Sequence, residues 1–319
     1  MQPHVSEWYA RRTSRAADWP LVVQEAHKAD TRVSVVLPPL NEEATVGSVV
    51  AMVVELAERT GLVDEVVVMD SGSTDATAEV AERAGATVHH RDDVLPWVGS
   101  RPGKGEVLWK SLAVTTGDVV VFVDSDLVDP HPALVTGLLG PLLCQPAVQL
   151  VKGCYDRPLA GAGSTSGGRV TELVARPLIS RLMPDLSGVI QPLSGEYAAR
   201  RCLLERLPFV SGYGVEIGLL VDAVRLVGLD GLAQVDLGHR THRNQDTAAL
   251  GRMAAPVLAT VLSRASPLHD PDALLGELTQ FARAADGRWV PEKRDVSLHE
   301  RPPMATMAGY RSQGAAVAV

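Results

Sequence analysis

Short runs of consecutive apolar residues recur along the chain, separated by stretches with helical spacing. "VSVVL" (33–37), "DEVVVMD" (64–70), "ATVHH" (86–90), "DVVVFVD" (118–124), "VQLVKGCY" (148–155) and "LAQVDLGH" (232–239) read as strands. Unbroken apolarity marks parallel strands covered on both faces. Between them, 42–59, 73–85, 103–117 and 131–143 read as helices. The second of these opens on Ser73 and Thr74 and closes on Gly85, a start and a stop signal. Further helices are expected over 169–182, 214–227, 246–264 and 271–285. This alternation predicts an α/β fold: a Rossmann-like, mostly parallel sheet with right-handed crossovers and a helical C-terminal extension.

Punctuation divides the chain further. Residues 1–30 read as an exposed, partly helical arm, 31–155 as one half of the sheet domain, and 156–294 as the remainder of the same unit. "AGAGSTSGG" (160–168) has loop composition. The Pro-, Met- and Ala-rich tail, 295–319, is expected to be flexible.

Composition narrows the class. The chain has 319 residues, 46% of them hydrophobic, enough for a large core. A net charge of −8 and only 4% aromatics argue against nucleic-acid binding, while leaving room for a local basic pocket. Cys144, Cys154 and Cys202 are odd in number and lack CxxC spacing, which suits free thiols in a reducing cytoplasm. The N-terminal twenty residues carry no apolar core of a signal peptide. No apolar run approaches the ~18 residues of a membrane span.

The chemistry gathers at strand ends. "PPLNEEA" follows the first strand, "DSGSTD" the second, and "DSD" (124–126) ends the fourth. Ligands of open α/β sheets bind beyond the carboxyl ends of the strands, so these clusters share one edge. Asp124 and Asp126 flank Ser125 and therefore share a strand face. A hard divalent cation takes one or two such carboxylates plus substrate phosphates; a strand cap with a turn would use the same residues. Lys104, between Gly103 and Gly105 at a helix start, can approach an anionic ligand closely. Ser71 and Glu42 suit ligand contact and turn or helix capping almost equally, and Asp70 suits the structural role. "GGRVT" (167–171) opens a helix, where backbone N–H groups and Arg169 make either an anion site or an ordinary loop. Glu216, between Val215 and Ile217, faces either a pocket or solvent.

"VSVVLPPLNEEATVGSVV", "DEVVVMDSGSTDATAEVA", "GKGEVLWKSL" and "DVVVFVDSDLVDPHP" resemble the nucleotide-sugar half of GT-A glycosyltransferases. "GGRVTELVARPL", "PLSGEYAARR", "SGYGVEIGLL" and "HRTHRNQ" resemble the glucosyl-3-phosphoglycerate synthases of actinobacteria, over roughly residues 30–265 in all. The resemblance implies a GT-A fold and a retaining transfer of glucose from UDP-glucose to D-3-phosphoglycerate, on the route to methylglucose lipopolysaccharides. It implies Mg²⁺ or Mn²⁺ held by Asp126 and His242, with His239 the competing histidine. It places Pro38, Leu40, Glu42, Ser71, Lys104, Asp124 and Ser125 around the nucleotide sugar. It places Gly168, Arg169, Val170, Thr171, Tyr213 and Asn244 around the acceptor. Catalysis would involve Glu216, Lys104 and Asp124, with Glu216 either nucleophile or orienting group. Pro39 departs from the expected alanine and removes a backbone donor from the uracil turn. A homodimer is implied. The rival readings are a mannosyl-3-phosphoglycerate synthase using GDP-mannose, a polyprenyl-phosphate sugar transferase, a nucleotidyltransferase, and a catalytically dead nucleotide-binding regulator. "PPLNEEA" stands where many nucleotidyltransferases carry a Gly-rich loop.

Overall fold

The computed structural model describes residues 1–156, 168–240, 246–265, 276–284 and 288–310. The chain begins with α1 (Pro3–Arg12), β1 (Thr13–Arg15), α2 (Leu21–Lys28), β2 (Val33–Leu37), α3 (Val46–Thr60) and β3 (Glu65–Asp70). It continues with α4 (Thr77–Arg83), β4 (Thr87–His90), α5 (Lys104–Val114), β5 (Val119–Phe122), α6 (Ala133–Cys144) and β6 (Leu150–Asp156). A π-helical turn (Thr171–Ala175) runs into α7 (Arg176–Leu182), followed by β7 (Tyr197–Arg200), α8 (Arg201–Leu204) and β8 (Phe209–Val210). The last elements are α9 (Val215–Val227), β9 (Leu232–His239), α10 (Thr247–Ala265), β10 (Glu277–Arg283), β11 (Trp289–Asp295) and β12 (Glu300–Arg301).

Eight strands form one sheet in the order β1-β9-β6-β7-β5-β2-β3-β4. All its pairings are parallel except those of β7, which runs antiparallel between β5 and β6. The wholly buried runs Val33–Leu37 and Val119–Phe122 lie at its centre, with apolar clusters packed on both faces. That is the environment an unbroken Val-rich run requires. Because β7 is reversed, its N-terminal end meets the carboxyl ends of β2, β3, β5, β6 and β9. That shared edge carries the site.

Four expectations need correction. The N-terminal residues are built into the body rather than forming an exposed arm. Val5 and Trp8 are buried, Trp8 Nε1 donates to the Leu232 carbonyl at 2.9 Å, and β1 pairs with β9 at the sheet's edge. Where the expected helix over 271–285 falls on described residues, Glu277–Arg283 is instead a strand: β10 pairs antiparallel with β11, while 271–275 and 285 lie outside the described residues. "ELTQFAR" alternates between exposed and half-buried positions, a period of two that outweighs its helix-compatible composition. The helix after the second main strand starts at Thr77, not Ser73. Asp70 accepts the Gly72 and Ser73 N–H groups, and Asp75 accepts that of Thr77, so the intervening residues close turns first.

The tail is ordered through residue 310. β12 pairs with β8, Trp109 Nε1 donates to the Pro302 carbonyl at 2.8 Å, and Met304 is buried. The Arg301 guanidinium grips buried Glu106 through two bonds of 2.8 Å. Tyr310 Oη donates to Glu205 at 2.7 Å. One two-residue strand and a paired arginine hold a segment whose composition alone reads as disordered. Residues 311–319 lie outside the described residues, as does most of the 160–168 loop.

Candidate active site

The first strand end makes a braced turn. Asn41, in the left-handed region at φ 56°, accepts the Thr74 N–H at 2.8 Å. The Pro39 carbonyl accepts the Ser71 N–H at 3.0 Å, tying the first strand end to the second. Glu42 takes Thr45 Oγ1 on its carboxylate at 3.0 Å, while its own N–H donates to Thr77 Oγ1 at 2.8 Å. Pro38 and Ser71 are half-buried beside it, and Leu40 is exposed. These residues line one end of the sheet edge.

The centre of the site is ionic. Lys104, on the first turn of α5, donates to Asp124 Oδ1 at 2.6 Å and pairs with Glu216 Oε1 at 2.9 Å. Gly103 and Gly105 let α5 start this close to the chain: Cβ atoms there would meet the Ser211 and Val210 carbonyls at 2.5 and 1.7 Å. Burial works against the Lys104 charge, but Asp124 and Glu216 outweigh it and hold the ammonium well above its ordinary pKa. Glu216 sits on the first turn of α9 and is buried against Lys104 rather than facing solvent. Ser125 is buried, and its hydroxyl has no hydrogen-bond partner among the described residues.

Sequence reasoning overlooked several members of this cluster. Arg240, just past β9, reaches Asp126 Oδ1 at 2.7 Å, Asp124 Oδ2 at 3.3 Å and the Tyr155 hydroxyl at 2.9 Å. It also donates to Glu196, which is fully buried. Burial pushes Glu196 upward against the pull of Arg240. Gly195 passes so near the ion pair that a Cβ would lie 2.4 Å from Asp124 Oδ2 and 2.6 Å from Lys104 Nζ. Lys152 is a further buried cation beneath that segment. The sequence did carry signals: a lysine inside the apolar run "VQLVKGCY", and a glutamate in "LSGEYAA".

Asp126 is the carboxylate that faces outward, its side chain 53% exposed. Among the described residues no group of three or more His, Cys, Asp and Glu stands ready for a metal. One exposed hard oxygen donor at a strand end is nevertheless the set that suits a cation shared with substrate phosphates. The Arg240 guanidinium shows that positive charge is accommodated there. His242, Asn244 and the rest of 241–245 lie outside the described residues, and His239 is exposed, its ring paired with Asp156 at 3.5 Å.

On the other side, Gly168 and Arg169 are half-buried and Val170 and Thr171 buried, at the start of the helical run that continues into α7. The Gly168 carbonyl accepts the Glu172 N–H at 3.0 Å, which fixes the first turn. Tyr213 is exposed on the loop before α9. No helix among the described residues is long and apolar enough to cross a membrane.

A mostly parallel sheet with a DxD at the end of a central strand, a lysine on its carboxylate and an outward acid define a glycosyltransferase of the GT-A type. The sequence agrees, matching Glycosyl transferase family 2 over residues 34–167. It is 53% identical to the glucosyl-3-phosphoglycerate synthase of Mycolicibacterium paratuberculosis, over 93% of this chain and 91% of that protein. The synthase of Petrotoga mobilis is 45% identical over 92% of each chain. A crystal structure of the Mycobacterium tuberculosis synthase with Mn²⁺, UDP-glucose and phosphoglyceric acid superposes with TM-score 0.80 at 52% identity, covering 90% of this chain and 94% of that one. The chain belongs to the glucosyl-3-phosphoglycerate synthase family.

Proposed function

We propose that the chain transfers glucose from UDP-glucose to the free hydroxyl of D-3-phosphoglycerate with retention, giving glucosyl-3-phosphoglycerate. The observation that carries this reading is the Lys104–Asp124–Glu216 cluster, set beside the outward carboxylate of Asp126. The relatives' shared name and the donor and acceptor bound in the M. tuberculosis complex support it. Asp126, with His242, would hold Mg²⁺ or Mn²⁺, which supplies charge neutralisation to the departing diphosphate. Pro38, Leu40, Glu42, Ser71 and Ser125 would frame the nucleotide, with Asp124 at the ribose and Lys104 toward the phosphates.

Glu216 is assigned an orienting and electrostatic role. A carboxylate gripped by an ammonium at 2.9 Å is a weakened nucleophile. Its negative charge still favours the oxocarbenium-like sugar that forms as the donor bond breaks. The acceptor hydroxyl would then attack on the face the diphosphate leaves, its proton passing to the departing phosphate oxygen.

UDP release, measured with and without 3-phosphoglycerate, separates the readings. UDP release that requires both the acceptor and a divalent ion and ceases with chelator is expected, with little GDP released when GDP-mannose replaces UDP-glucose. Release indifferent to 3-phosphoglycerate would reject the acceptor.

The acceptor assignment rests on Gly168, Arg169, Val170, Thr171, Tyr213 and Asn244. A guanidinium can grip the anion through two parallel bonds, and lysine keeps the charge but loses the fork. Arg169→Lys should raise the KM for 3-phosphoglycerate with UDP binding unchanged. A lost bond to a charged group costs about 1.5–3 kcal/mol, or roughly 10- to 150-fold. An unchanged acceptor KM in steady-state kinetics would move the anion elsewhere.

We infer a homodimer from the β10–β11 hairpin, which exposes Phe281 (63%), Trp289 (60%) and Val290 (42%). Light scattering should give twice the 33.9 kDa chain mass, and Trp289→Glu should halve it; a monomeric parent would reject this. We place the enzyme in the cytoplasm, consistent with three unpaired cysteines. We assign its product to methylglucose lipopolysaccharide synthesis. A strain lacking the gene but keeping that polymer would contradict the assignment.

A further inference from the structure

We propose that Lys152 is a positioning residue for this transfer. Its ammonium pins the 194–196 segment beside Asp124 and Lys104 and brings a buried positive charge to that cluster. The inference rests on the glucosyl transfer proposed above.

Lysine is almost never fully buried unless its charge is answered. Lys152 lies in the middle of β6 and is 3% exposed. Its Nζ donates to the Ser194 carbonyl at 2.6 Å and rests 4.7 Å from the centre of the Tyr197 ring. Ser194 is the residue before Gly195, the glycine that skirts the Lys104–Asp124 pair. Ser194 Oγ also donates to Glu196 Oε2 at 3.2 Å. A grip on the Ser194 carbonyl therefore sets where the chain passes the reacting groups.

The charge count points the same way. Lys104 is shared between Asp124 at 2.6 Å and Glu216 at 2.9 Å, so one cation serves two carboxylates. Arg240 is engaged with Glu196, Asp124 and Asp126. With Lys152 the cluster holds three cations, Lys104, Arg240 and Lys152, against the four carboxylates Asp124, Asp126, Glu196 and Glu216.

The charges that act on Lys152 are those of Glu216 on α9, Lys104 on α5, Glu196 just before β7 and Asp124 beyond β5, with the Tyr197 ring packed against its ammonium. Burial pushes its pKa down to about 8, with Lys104 adding to the fall and the three carboxylates opposing it. Burial, with Glu216, holds Tyr197 well above its ordinary value, so the phenol stays neutral while Lys152 titrates. The charged form of Lys152 is thus present below about pH 8 and is lost above it. A lysine that only filled space in the core would leave no such mark on the rate.

The test is kcat against pH for the full chain and for Lys152→Arg, with Lys152→Met at pH 7. The unmodified enzyme should lose kcat as pH rises through about 8. Arginine keeps its proton throughout this range, so in Lys152→Arg that alkaline fall should disappear, whatever the absolute rate. Lys152→Met should lower kcat by about tenfold or more, with the dissociation constant for UDP changed less than about threefold. An alkaline fall at the same pH in Lys152→Arg would overturn the proposal. So would a folded Lys152→Met protein with undiminished kcat. If the methionine variant does not fold, the two pH profiles still decide, since a flat parent profile to about pH 9.5 also overturns it. A parent enzyme that makes no glucosylated product would be a different result, because it rejects the transfer reading itself.

Discussion

Gly195→Ala should yield a folded protein with at least about 100-fold less transferase activity, the scale of loss for a displacement of about 1 Å near reacting groups. The added Cβ would lie 2.5 Å from Asp124 Oδ1 and 2.4 Å from Oδ2, and 2.6 Å from Lys104 Nζ. Neither partner can yield cheaply. Asp124 also takes the Arg240 guanidinium, and Lys104 is tied to Glu216. The chain is held from below as well, where Ser194 meets Lys152 and the Glu196 carbonyl accepts the Gly153 N–H at 2.9 Å. The methyl group therefore breaks the ion pair rather than shifting the strand. Circular dichroism with kinetics checks this; parent-level kcat in Gly195→Ala would show that the Lys104–Asp124 contact is dispensable.

Lys104→Met should cost both stability and rate. It leaves Asp124 and Glu216 without their shared ammonium in a site where the Glu216 side chain is 9% exposed. Removing one partner of a buried pair costs about 3–5 kcal/mol. Loss of a donor aimed at developing negative charge costs about 10²–10³ in kcat. The sign of the pH dependence follows from the raised lysine pKa. The stabilising charge is fully present below the unfolded value of about 10.4 and is lost only as pH climbs through the folded value. The Tm deficit of Lys104→Met should therefore be large at neutral pH. It should narrow only at alkaline pH, where the parent loses the same charge. Equal deficits at neutral and alkaline pH would mean that the lysine acts by packing alone.

How far the sequence revealed the site depends on which elements carried it. The strands 33–37 and 119–122 announce themselves by unbroken Val-rich runs, and with them came the edge bearing Asp124 and Asp126. Lys104 and Glu216 stood beside glycines at helix starts, where a short-range pattern suffices. β7 left no such pattern: "EYAAR" is short and mixed, and it takes its strand form from pairing with β5 and β6 on either side. Gly195 and Glu196 hang on that reversed strand, so their proximity to Asp124 is a consequence of topology. Arg240 likewise meets its partners 44 to 116 residues away in sequence. The tail misled for a related reason, since its order comes from Arg301 reaching Glu106 rather than from its own composition.

The product of the reaction is the most direct test. The purified chain should be incubated with UDP-glucose, D-3-phosphoglycerate and Mn²⁺, and the product's anomeric proton read by NMR. An α-linked glucosyl-3-phosphoglycerate, formed in step with UDP, is the expected result. A β-linked product, or free glucose released at the same rate whether or not 3-phosphoglycerate is present, would contradict it.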